Sequence, residues 1–179
     1  MAIWQFKVFL IPQGAIRERF GHMPVTISTD AAQDFRWWAK RQPQGIEREI
    51  SELLSETSRW GKDLRIWGDE RSDSIVVCYE DDDRKTIIEI EFCIDVRHLS
   101  SKFVTSTCEL AKRFGCVLVH WQSGRVLMPD VDALLDAINR SRAKKFVEDP
   151  AGTLKNLPDG TAEAVSLTAR RAETRRIDE

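Results

Sequence analysis

The chain has 179 residues, 42% of them hydrophobic and 31% charged, and a formal net charge of −2. That hydrophobic share fills a core without disulfide or metal staples, and the length fits one domain. No apolar run reaches the roughly 18 to 20 residues of a membrane span, and residues 1–12 lack the basic start, apolar block and cleavage site of a signal peptide, so the expected location is the cytoplasm.

Residues 1–12 read as a strand with Ile3, Phe6, Val8, Leu10 and Ile11 apolar and Pro12 closing it. Residues 13–28, punctuated by Gly14, Gly21 and Pro24, read as loop with a short turn. Thr29 or Asp30 can cap a helix over 31–41, because a side-chain oxygen there accepts the free first-turn amides. Pro43 and Gly45 end it, and Ile46, Ile50, Leu53 and Leu54 recur at helical spacing over 46–54.

Strands are expected at 63–67 and 74–80, followed by a turn at Asp81, Asp82 and Asp83 and a strand over 85–95. Alternation in that last strand puts Thr86, Ile88, Ile90, Phe92 and Ile94 on a core face. Glu89, Glu91 and Asp95 then lie on the opposite face, with Ile87 and Cys93 between them. Ser100 or Ser101 opens a helix to Phe114, and Gly115 is placed to terminate it. A hairpin follows over 116–121 and 125–128, turning at Ser123-Gly124. Asp130 caps a helix with Val131, Leu134, Leu135, Ile138 and Phe146 facing inward, stopped by Asp149-Pro150, and residues 153–157 add one docked turn.

The hairpin, helix, hairpin, helix succession from 74 to 147 hints at a doubled ββα unit. Beyond Pro158 the apolar pattern fades, and 158–179 reads as a polar, mobile C-terminal tail. The expected architecture is therefore one α+β domain over 1–157, a mainly antiparallel sheet built from hairpins and packed against several helices, with a flexible tail.

Motifs for catalysis are missing: there is no Gly-rich phosphate loop, no Gly-x-Ser-x-Gly elbow and no His-Glu-x-x-His pair. Cys78, Cys93, Cys108 and Cys116 lie in or beside apolar stretches with no Cys-x-x-Cys spacing, so they read as small hydrophobes and no metal or cofactor is expected. Asp95, Arg97 and His98 share a strand end, where a carboxylate could orient the imidazole for acid–base work; the plainer reading is a solvated strand terminus with a salt bridge. Six tryptophans are many for this length. Trp60 and Trp67, beside Gly61 and Gly68, read as pins between loops and sheet. Trp37 and Trp38, neighbours on the expected helix, need not both point inward, which offers Trp38 as an exposed anchor for a partner.

Charge is the most informative signal. Residues 69–95 carry ten acids against three bases, a net of −7, while 96–147 carry nine bases against four acids, a net of +5. An acidic turn and sheet face repel nucleic acid and attract a basic protein. Simple solvation of a turn explains the same pattern equally well. The Asp81-Asp82-Asp83 run lacks the ligand spacing of an EF-hand loop. The basic stretch is spread over two helices without interleaved aromatics, unlike a nucleic-acid surface.

A compact α+β domain with tryptophan-rich loops, an acidic sheet surface and no catalytic motif resembles the small immunity proteins encoded beside bacterial polymorphic or contact-dependent toxins. The stretch from Ser141-Arg142-Ala143 through Phe146-Val147 to Asp149-Pro150 adds to that resemblance. It implies a non-enzymatic inhibitor that binds one cognate toxin, and the acidic charge pattern suits a toxin with a basic surface. On the charge pattern the contact residues are Asp81, Asp82, Asp83, Glu89, Glu91 and Asp95, with Trp38. The alternatives are a small enzyme using Asp95 and His98, and a regulatory module associated with nucleic acid through its basic helices.

Overall fold

The computed structural model describes residues 2–34, 36–58, 63–80 and 82–155. The expected mobile tail, Trp60 and Asp81 lie outside them. The described residues form an α+β fold built on a seven-stranded antiparallel sheet in the order β2-β3-β4-β5-β1-β6-β7. The strands are β1 (Gln5–Pro12), β2 (Glu56–Ser58), β3 (Leu64–Gly68), β4 (Ser74–Tyr79), β5 (Ile87–Asp95), β6 (Cys116–His120) and β7 (Val126–Leu127). The helices are α1 (Gln13–Phe20), α2 (Thr29–Asp34), α3 (Ile46–Leu53), α4 (Ser101–Arg113), α5 (Val131–Asn139), α6 (Arg142–Glu148) and α7 (Pro150–Lys155). No helix among the described residues is long and apolar enough to cross a membrane.

β1 pairs with β5 through Gln5↔Asp95 to Phe9↔Glu91 and with β6 through Val8↔His120 to Pro12↔Cys116. Since β5 and β6 both run antiparallel to β1, they are parallel to each other. Parallel strands need a crossover, and α4 supplies it across the face of the sheet. The hairpins β4–β5 and β6–β7 sit on either side of β1, each followed by a helix. The doubled ββα succession is thus present as connectivity.

The register sorts the side chains into two faces. Trp67, Ile75, Val77, Ile90, Phe92, Ile94, Phe6, Val8, Leu10 and Leu118 share one face and are all buried. α3 and α4 pack there: Ser51 accepts from Trp67 Nε1 at 3.0 Å, and the Phe92 and Phe103 ring centroids lie 6.3 Å apart. Phe9, Ile11, Val117 and Val119 point to the other face and are equally buried. Ala15 and Ile16 of α1, with Ile27 and Ala32, belong to the same core.

Four local expectations are corrected. Residues 13–20 are helix, not loop: Pro12 occupies the extended N-cap position, Ala15 and Ile16 are buried, and Gly21 closes the helix at φ 74°. The helix expected to Arg41 stops at Asp34, and turns replace its second half. The long helix after Asp130 divides, because Ser141 accepts from the Lys144 amide at 3.1 Å and starts α6 afresh. In β5 the pairing slips between Cys78↔Glu89 and Tyr79↔Ile87, so two residues of β5 face one step of β4. This bulge turns Ile87, rather than Ile88, to the core side with Ile90. Ile87→Ala should therefore destabilise by about 2–4 kcal/mol and Ile88→Ala by under about 1 kcal/mol in urea unfolding; strict alternation would give the reverse order.

Candidate functional site

The β4–β5 hairpin projects its turn to solvent while its body is embedded in the sheet. The Glu80 amide donates to the Thr86 carbonyl at 2.8 Å and closes the turn. Arg84 takes φ 56°, the left-handed region, within it. Asp82 and Asp83 are exposed at the tip, and Lys85 Nζ reaches Asp83 Oδ2 at 2.8 Å. Near the turn, Arg36 donates to the Glu80 carboxylate.

Further down β5 the acids are taken up by the fold. Lys7, on the neighbouring β1, bonds the Glu91 carboxylate, with only 15% and 13% of the two side chains exposed. Burial opposes the Lys7 charge, but the Glu91 carboxylate outweighs it and holds Lys7 above its ordinary pKa. Glu89 is half-buried beside Cys78, whose thiol approaches its Oε1 at 3.9 Å. Cross-strand register aligns Leu64, Cys78 and Glu89 in one row and Ile66, Val76 and Glu91 in the next. The side away from α3 and α4 therefore grades from apolar on β3 and β4 to acidic on β5.

Two expected contact residues are corrected. Asp95 is 1% exposed, and both its carboxylate oxygens accept from Arg97, at 2.9 and 2.7 Å. Its own amide donates to Asp73 Oδ1 at 2.8 Å. Burial works against the Asp95 charge, yet the Arg97 hydrogen bonds and charge bring its pKa below the ordinary carboxylate value. Arg97 also lies 4.3 Å over the Trp4 ring and donates to the Arg71 carbonyl. Asp95 thus fastens the end of β5 to the N-terminus and to the β3–β4 connection, and a partner cannot touch it. Trp38 is 2% exposed and donates to the Leu10 carbonyl at 3.1 Å, just past the last β1–β5 pair. Trp37 is buried too, donating to Ala32 at 3.2 Å.

The expected contact set is therefore split by the structure. Asp82, Asp83, Glu89 and Glu91 belong to one hairpin, with the first two exposed; the side chains of Asp95 and Trp38 are buried. The salt bridge expected at the strand end is present between Asp95 and Arg97, whereas spacing gives no sign of the counter-ions Lys7 and Arg36, which also lie outside 69–95. Only strand register and tertiary packing bring Lys7 and Arg36 to the hairpin.

An acid–base dyad is not assembled at the strand end. His98 is exposed, and no hydrogen bond joins it to Asp95. The thiols of Cys93, Cys108 and Cys116 are buried, and burial raises them to about 12, 11 and 12, so they stay protonated and unreactive near neutrality. Among the described residues, no three His, Cys, Asp or Glu side chains converge on a point that could hold a metal ion. In the basic half, Arg97, Arg113, Arg140 and Lys144 form ion pairs with Asp95, Glu49, Asp136 and Glu148.

His120 closes β6. Its ring stacks on Phe6 with centroids 4.4 Å apart, Nδ1 lies 2.7 Å from Ser123 Oγ, and burial lowers its pKa to about 4. Between that value and the ordinary 6.5, the unfolded chain binds the proton that the folded chain refuses. Stability should therefore fall by about 2 kcal/mol from pH 7.5 to pH 5, and the His120→Phe variant should lose that part of the slope. Equal slopes in chemical denaturation of the two proteins would count against it.

The Lys7–Glu91 pair predicts a second pattern. Lys7→Met alone strands a half-buried carboxylate and should cost about 2–4 kcal/mol, whereas Lys7→Met with Glu91→Leu should recover most of that loss in a double-mutant cycle. An additive double mutant would show that the pair does not act as a unit. No family model matches the chain, and comparison with curated proteins and with solved structures gave no significant match.

Proposed function

We propose that this chain is a protein-binding inhibitor of the immunity type, docking on a cognate toxin through the outer part of the β4–β5 hairpin. The observation that carries the reading is the division of acids along that hairpin. Glu91 and Asp95 serve the fold, while Asp82 and Asp83 stand exposed on a turn whose strands are held in the sheet. A preorganised acidic tip costs little ordering on binding and speeds encounter with a basic surface. Glu89, with the row formed by Cys78 and Leu64, extends the surface from the tip toward the sheet.

The experiment is co-expression and binding with a toxin-domain protein encoded beside this chain. Asp82→Lys combined with Asp83→Lys should weaken binding at least tenfold, chiefly through a slower association rate, and leave the unfolding midpoint unchanged. Asp132→Lys, an exposed position on α5, serves as the control and should leave affinity intact. Unchanged affinity and protection with the double reversal would remove the acidic tip from the interface; no binding by the wild-type chain to any adjacent toxin would overturn the inhibitor reading itself.

A further inference from the structure

We draw no further inference here: the strongest candidate, the cleft of about 340 Å3 where Arg48, Arg84 and Lys85 surround the N-terminus of α3, carries nothing because it is a helix N-terminus beside cations that already have partners in the fold, with no bound ion or unpartnered buried side chain to name a ligand.

Discussion

The position of β1 is the constraint on which the fold depends. It is paired on both edges, to β5 and β6, and its residues from Phe6 to Pro12 are buried on both faces except Lys7. A strand covered on both sides needs apolar side chains at consecutive positions, and the run Val8-Phe9-Leu10-Ile11 provides them. One face carries the α3 and α4 layer, and the other is buried as well. Because β1 separates β5 from β6, the crossover through α4 must span the sheet, which places that helix over the Phe92 side of the core.

Lys7 is the exception in that strand, and it links fold to charge. Its pairing with Glu91 converts what reads as surface acid into part of the sheet's internal structure. Arg97 does the same for Asp95, and Arg36 engages Glu80 nearer the turn. Acids placed near the sheet centre are neutralised, because an unpaired charge there would be costly. Acids at the turn remain exposed to solvent even where they are paired, as Asp83 is with Lys85. Among the described residues, Asp82 and Asp83 are the exposed acids at the hairpin tip, a smaller feature than the segment's composition implies.

Much of the fold is legible in the sequence wherever a local rule decides the outcome. Ser100 and Asp130 cap α4 and α5 through side-chain oxygens, Gly115 follows α4 at φ 61°, and the β6–β7 turn falls at Ser123-Gly124. Local rules fail where tertiary contacts override them. The bulge at Ile87 and Ile88 leaves no trace in an apolar run that fits either phase. Trp37 and Trp38 enter the core together because bonds to Ala32 and Leu10 fix a turn that helical periodicity does not anticipate. Ser141 gave a capping residue that the continuous spacing from Leu134 to Phe146 obscures. At the candidate surface, the acids were visible but their partners were not, since Lys7 is 84 residues from Glu91 and Arg36 is 44 from Glu80. Asp95 is held by a local partner, Arg97, and by Asp73, 22 residues away.

Hydrogen–deuterium exchange on the complex with a toxin protein encoded beside this chain tests the central claim most directly. Binding through the hairpin tip predicts new protection of the amides between Glu80 and Glu89, with exchange in α5 to α7 unchanged. A tight complex that leaves those hairpin amides exchanging as in the free chain, and protects another surface instead, would contradict it.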